Sequence, residues 1–235
     1  LLSIGISINI NEMYIGTFHS ICLRILKEHL EYTRIKKNYR MLDNFDQQYM
    51  VFQKINEFRK VEHFDSLFSN TTGAWRQAET VVKYINNLSE ELVDVSLMQQ
   101  DKDEQVVAIA NIMDTYSYIM EQENLIDFSS IQTETYKLLC SHPEILKEIQ
   151  ESIKYVMVDE YQDTNYIQEL LIFLIAGDNR NICVVGDDDQ GLYRFRGATI
   201  RNILEFPTHF KDGECKQIKL VTNYRSEKQI IDFYN

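Results

Sequence analysis

The sequence has few residues that break or cross-link a chain. Among 235 residues there are two prolines, eight glycines and four cysteines. Cys22, Cys140, Cys183 and Cys215 lie far apart without a C-x-x-C pair, which argues against a zinc site and against a disulfide framework. This usage favours a reducing, cytoplasmic environment.

Long hydrophobic runs are also absent. No apolar stretch reaches the roughly 18 residues that cross a membrane, and the opening LLSIGISINI is short and lacks basic flanks. We therefore predict no membrane partner. The chain begins without methionine and in the middle of a pattern, so we expect a fragment of a longer protein. Its length suits one large domain or two small ones.

The net charge of -12 is unusual for a nucleic-acid-binding protein, but it is unevenly distributed. Residues 61–160 carry six basic and nineteen acidic side chains, whereas residues 1–60 carry nine basic and six acidic ones. Contacts with a phosphate backbone must therefore be local. The basic segment RIKKNYR, residues 34–40, could make them or could be a solvated linker.

The most informative segment is KYVMVDEYQDTN, residues 154–165. Val156 to Val158 predict a short buried strand that ends at Asp159 and Glu160. Ligands of open α/β sheets bind at this end, where Asp159 could hold Mg²⁺ beside a phosphate and Glu160 could activate a water. An acidic surface turn would explain the pair alone more simply, but the strands that follow favour the chemical interpretation.

A second strand is predicted from Ile182 to Val185, after an amphipathic helix closed by Gly177. This order indicates a parallel βαβ unit, which places the following GDDDQ at the same edge as Asp159. Gln190 could hydrogen-bond a terminal phosphate and release it after hydrolysis. Beyond it, Tyr193 and Phe195 alternate with Arg194 and Arg196. This mixture suits single-stranded nucleic acid, although a loop with partly buried aromatic rings fits equally well.

A third strand is predicted over residues 217–221 and leads into Tyr224 and Arg225. An arginine at a strand end could stabilise charge on a transferring phosphoryl group, and the tyrosine offers a face to a base. At the other end of the chain, residues 13–16 predict the end of a strand, and Thr17 a helix N-cap. Thr17 and His19 could bind a phosphate there, but an ordinary cap with an incidental histidine is the simpler interpretation.

The middle of the chain shows helical periodicity only. Residues 45–123 have apolar side chains at helical spacing and no strand pattern, after a cap at Asp43 or Asn44. LIDFSS predicts another helix that begins at Asp127 or Ser129.

In this order, GTFHS, YRMLDNFDQ, LIDF, VDEYQDTN, VVGDDDQGLYRFRGA and NYRS resemble the superfamily-one DNA helicases of the UvrD/Rep/PcrA type. The resemblance spans nearly the whole chain. It implies an α/β fold with a RecA-like parallel sheet flanked by helices and an inserted all-helical subdomain. It also implies an ATP-dependent helicase of 3′ to 5′ polarity that uses ATP and Mg²⁺, acts on single-stranded DNA and duplex junctions, and serves DNA repair.

The resemblance also implies a layout and site residues. Residues 1–35 and 124–223 would form the motor domain, 36–123 the inserted subdomain, and 224–235 the start of the link to a second motor domain. Asp159 would bind the metal, and the catalytic residues would be Glu160, Gln190 and Arg225. The nucleotide-binding residues would be Asp159, Gln190, Tyr224 and Arg225. The DNA-binding residues would be Thr17, His19, Tyr193, Phe195 and Arg196.

Some family features are missing from this sequence. It has no G-x-x-x-x-G-K-[ST] phosphate loop, so residues 1–235 alone are expected to be inactive. Phe195 replaces the usual Trp, and Gly191 the usual Ser. Two alternatives stay open: a metal-dependent nuclease or phosphohydrolase using Asp159, Glu160 and residues 187–189, and a non-catalytic nucleic-acid-binding relative.

Overall fold

α-Helices make up about half of the residues that the structure describes, and they fill most of the middle of the chain, as the spacing of its apolar residues predicts. The computed structural model describes residues 13–69, 71–187, 200–227, 229, 230 and 233. The chain divides into two compact units, residues 1–203 and residues 204–235. The helices are α1 (Phe18–Glu28), α2 (Asn44–Gln53), α3 (Ile55–Phe58), α4 (Ala74–Glu90), α5 (Val95–Met98), α6 (Glu104–Gln122), α7 (Phe128–Ser141), α8 (Pro143–Ser152), α9 (Tyr166–Ala176) and α10 (Ile200–Glu205).

The predicted helix starts are confirmed. The side chains of Thr17, Asp43 and Asp127 each accept a hydrogen bond from a backbone N–H in the first turn of the helix that follows. These caps satisfy donors that a helix leaves without a partner. Pro143 occupies the first turn of α8, and Gly177, at φ 59°, ends α9 in a conformation that glycine adopts without strain.

Four short strands form two parallel pairs among the described residues. They are β1 (Arg40–Leu42), β2 (Leu125–Asp127), β3 (Val156–Val158) and β4 (Ile182–Val184). β1 pairs with β2, and β3 with β4. The predicted βαβ unit around α9 is thus confirmed, one residue shorter at Val185. The β1–β2 pair was not predicted.

β2 lies between two hydrophobic cores. Leu125 belongs to a core built from β1 and helices α2, α3, α4 and α6. Its neighbour Ile126 belongs to a second core, formed mainly by α1, α7, α8 and α9. Successive side chains of a strand point to opposite faces, so one short strand serves both cores.

The two ends of the helical middle lie side by side. The backbone N–H of Lys36 donates to Asn124 Oδ1 at 2.9 Å, and that of Arg40 donates to Asn124 O at 3.1 Å. An inserted subdomain requires this proximity. The boundaries 36–123 stay a prediction, because residues 1–203 form one compact unit and β1 itself lies within that range.

Three strand predictions are wrong in whole or in part. Residues 13–16 and 217–221, all described, contain no strand, and Leu220 and Val221 are almost fully exposed. An alternating pattern becomes a strand only when a neighbouring strand supplies hydrogen bonds, and the structure shows none beside either segment's described residues. β3 is buried on one face only: Val158 is buried, whereas Met157 is 78% exposed.

The second unit contains a 3₁₀ turn, Phe206–His209, in which Phe206 is buried and its ring lies 5.1 Å from that of Phe210. Within the described part of the chain, no helix is both long and apolar enough to cross a membrane.

Candidate functional site

Two carboxylates follow β3 at its carboxyl end. Asp159 and Glu160 are both exposed, and Asp159 Oδ1 accepts a hydrogen bond of 3.0 Å from the backbone N–H of Glu160. Glu160 adopts a left-handed conformation with φ 52°. A non-glycine residue costs about 1–3 kcal/mol there, and such strain concentrates at functional positions. This turn leaves both side chains at the sheet edge.

Gln162 connects Glu160 to the segment after β4. Its Nε2 donates to Glu160 Oε2 at 2.7 Å, and its Oε1 accepts from the backbone N–H of Asp187 at 3.1 Å. Gln162 is 1% exposed, so few other orientations are open to its amide. The two segments that sequence reasoning assigned to phosphate chemistry are therefore joined by one buried side chain.

Gly186 lies close to this amide. A Cβ at that position would fall 2.5 Å from Gln162 Oε1 and 2.6 Å from Ile203 Cδ1. A larger residue at position 186 would therefore force the end of one of these two side chains to shift. Nearby, Tyr161 is buried and its hydroxyl donates to Glu169 Oε1 at 2.8 Å, which ties the turn to α9. Burial, followed by that carboxylate, raises the pKa of Tyr161 and keeps it a hydrogen-bond donor.

Asp163 has a buried oxygen, Oδ1, without a hydrogen-bond partner among the described residues. Desolvation, and then the negative charge of Glu160, raise the pKa of its carboxyl group. Both effects disfavour a second negative charge beside Glu160.

The first turn of α1 contacts α7. His19 Nε2 lies 3.0 Å from Gln132 Nε2, and the His19 ring meets the ring of Phe128 edge to face at 5.6 Å between centroids. Burial lowers the pKa of His19, so at neutral pH the ring is an uncharged hydrogen-bonding group. Phe128 is 40% exposed and was not among the predicted site residues, because LIDF was interpreted as the beginning of a helix and as a family motif without a role for its aromatic ring.

Thr17 is exposed beside them. Its Oγ1 caps the N–H of Ser20 at 3.3 Å, so its hydroxyl hydrogen can still be donated to a ligand. Thr17, His19 and Phe128 thus combine a hydroxyl, an imidazole and an aromatic face at the start of two adjacent helices.

Four predicted site residues lie outside the described residues: Gln190, Tyr193, Phe195 and Arg196. Tyr224 and Arg225 belong to the second unit, where both are exposed, Tyr224 to 94%. Asn223 Oδ1 accepts from the backbone N–H of Arg225 at 2.8 Å and of Ser226 at 3.0 Å. This turn fixes the backbone conformation at Tyr224 and Arg225.

The described residues contain no group of three or more His, Cys, Asp or Glu arranged to hold a metal ion. Mg²⁺, however, commonly binds one or two carboxylates and completes its shell with water and substrate phosphates. The exposed carboxylate of Asp159, at a strand end, fits that requirement.

The chain matches the UvrD/REP helicase N-terminal domain over residues 4–211. It belongs to this family. Among curated relatives, it is 34% identical over 224 residues to DNA helicase II of Haemophilus influenzae and to the ATP-dependent DNA helicase PcrA of Staphylococcus epidermidis and Staphylococcus aureus. Each match covers 95% of this chain but 29% of the relative. The resemblance to UvrD/Rep/PcrA helicases is thus confirmed, and the chain spans less than a third of those relatives' length.

Proposed function

We propose that the protein to which this chain belongs is an ATP-dependent DNA helicase that translocates 3′ to 5′. In this proposal the chain supplies part of a RecA-like motor domain, residues 1–35 and 124–223, with residues 36–123 as the helical insertion and 224–235 leading to a second motor domain. The observation that carries the proposal is the match of residues 4–211 to the UvrD/REP helicase N-terminal domain. The buried Gln162 amide supports it, because it joins Glu160 to the backbone after β4.

The chemistry follows from the carboxylates at the end of β3. Bound Mg²⁺ would neutralise phosphate charge, and Asp159 would hold it. Because Oε2 of Glu160 accepts from Gln162, Oε1 is the atom left to take a proton from the attacking water. Gln190 would sense the terminal phosphate, Arg225 would stabilise its developing charge, and Tyr224 would stack on adenine.

Single-stranded DNA, next to a duplex junction, is the proposed nucleic-acid partner. Thr17 and His19 would contact it, and Phe128 joins them because its exposed ring packs against His19. Tyr193, Phe195 and Arg196 stay predicted contacts. The cytoplasmic location and the repair role also stay predictions.

The experiment is the variant Glu160→Gln in the full-length protein. It removes the proton acceptor but keeps the shape of the side chain, so DNA-stimulated ATP hydrolysis should fall by about 10²–10⁴-fold, while binding of ATP and of single-stranded DNA is retained. Glu144→Gln, an exposed acid on α8, is the matched control and should be neutral. Magnesium-dependent DNA cleavage without nucleotide, lost in Glu160→Gln, would instead support the nuclease alternative.

A further inference from the structure

A buried carboxylate connects the helical middle of the chain to the start of α7. Asp127 is 2% exposed and lies at the N-cap of α7. Its Oδ1 accepts from the backbone N–H of Ser130 at 2.7 Å, and Ser130 Oγ accepts in return from the backbone N–H of Asp127 at 2.8 Å. This reciprocal capping box fixes the first turn of α7.

The other oxygen of Asp127 faces the opposite way. Its Oδ2 accepts from the hydroxyl of Tyr116 on α6 and, at 3.2 Å, from Nε2 of Gln47 on α2. Gln47 Nε2 also lies 3.0 Å from Tyr116 Oη, and both side chains are at most 3% exposed. One carboxylate thus divides its two oxygens between α7 and the helices of residues 36–123.

The residue after this cap is Phe128. Its ring meets His19, and Gln132, one turn further along α7, is the partner of the His19 ring. The orientation of the first turn of α7 therefore sets where Phe128 lies relative to His19.

We propose that Tyr116 and Gln47 are positioning residues for single-stranded DNA: by holding Oδ2 of Asp127, they fix the first turn of α7 and keep Phe128 beside His19. This inference rests on the proposed function and extends it, because it makes the DNA-contacting surface dependent on the helical middle of the chain. A hydrogen-bonded pair on α6 and α2 then acts on DNA affinity without touching DNA.

The test is a set of variants of the full-length protein, titrated against a fluorescently labelled oligothymidylate without nucleotide. Phe128→Ala should raise the Kd by at least about tenfold, since an aromatic face is lost. Tyr116→Phe removes one hydroxyl and should raise the Kd by about fivefold, part of the same stacking contribution. Tyr118→Phe, on the same helix but 63% exposed, is the matched control and should leave the Kd unchanged.

A double variant separates positioning from general stability. If Tyr116 acts through Phe128, then Tyr116→Phe should not raise the Kd further when Phe128 is already alanine. The thermal unfolding midpoint of each variant is measured, and the DNA titrations are run well below it. The Kd values then compare folded proteins only. If Tyr116→Phe does not fold, Gln47→Met, which removes the other donor to Asp127, takes its place and should give the same non-additive result.

Three outcomes overturn the proposal in distinguishable ways. An unchanged Kd for Tyr116→Phe beside a raised Kd for Phe128→Ala removes the positioning role and leaves the DNA surface standing. Equal fold-changes for Tyr116→Phe in both backgrounds show that Tyr116 does not act through Phe128. An unchanged Kd for Phe128→Ala shows that the proposed DNA surface itself is wrong, and the positioning role fails with it.

Discussion

Gln162 donates a 2.7 Å hydrogen bond from its side-chain amide to Oε2 of Glu160. The oxygen of the same amide accepts a hydrogen bond from the backbone N–H of Asp187, after β4. Gln162 therefore orients the Glu160 carboxylate and couples it to the position of the segment after β4. A neutral donor also avoids adding charge beside Glu160 and Asp163.

The first prediction concerns this amide. Gln162→Ala in the full-length protein leaves Glu160 able to rotate, so the kcat of DNA-stimulated ATP hydrolysis should fall on the order of 10- to 100-fold, with little change in the KM for ATP. Gln162→Glu should be worse, because it places a negative charge against Glu160. Gln53→Ala, an exposed glutamine on α2, serves as control. Steady-state kinetics with saturating DNA measure both constants; equal rates for Gln162→Ala and wild type would remove the orienting role.

The second prediction concerns Gly186. In Gly186→Ala, the new Cβ meets Gln162 Oε1 and Ile203 Cδ1, so one of them must move. We expect a loss of about 1–3 kcal/mol in the free energy of unfolding together with a lower ATPase rate. Gly73→Ser is the control, since a Cβ there meets nothing within 4 Å and serine is a good N-cap for α4. Denaturant titration of the two variants provides the comparison; an unchanged Gly186→Ala would mean that Gln162 adapts freely.

The third prediction concerns Arg225. Arg225→Ala and Arg225→Lys should each lower DNA-stimulated ATP hydrolysis by about 10³–10⁵-fold, because lysine lacks the planar fork that contacts two phosphate oxygens. The affinity for single-stranded DNA should stay within about threefold, below roughly 1 kcal/mol. Arg76→Ala, an exposed arginine of α4, should change neither quantity. Full activity in Arg225→Ala, together with DNA cleavage that is lost on substitution of Asp188 or Asp189, would favour the nuclease alternative.

The fourth prediction concerns pH. Burial lowers the pKa of His19 below its ordinary 6.5, so the unfolded chain binds a proton that the folded one resists. The contribution of His19 to stability is therefore fully present above pH 6.5 and is lost as the pH falls below it. His19→Gln should show a shallower fall in the free energy of unfolding over that range than the wild type. Identical slopes from pH 7 to pH 5 would mean that His19 remains accessible to protons.

Much of this architecture can be predicted from local patterns, and the parts that cannot depend on distant contacts. Runs of consecutive apolar residues predicted β3 and β4, and capping residues predicted the starts of α1, α2 and α7. β1 (RML) and β2 (LID) are as short as β3 and β4 but mix charged and apolar residues, so only their pairing defines them. The hydrogen bond between Gln162 and Asp187 could not be predicted either, because it depends on residues that are distant in the sequence. It requires the left-handed turn at Glu160 and the return of the chain after α9.

The pairing of β1 with β2 also has a consequence for the order of folding. The register places Arg40 opposite Leu125, some 85 positions later in the chain. Closing a flexible loop of that length costs about 4 kcal/mol, more than three residue pairs of a ladder can offset. We therefore expect the intervening helices to pack first, which shortens the loop before the two strands pair. Because Leu125 and Ile126 of β2 belong to different cores, we expect the second core to form after the helices of residues 36–123 have packed. A destabilising mutation in those helices should then slow the folding of both cores.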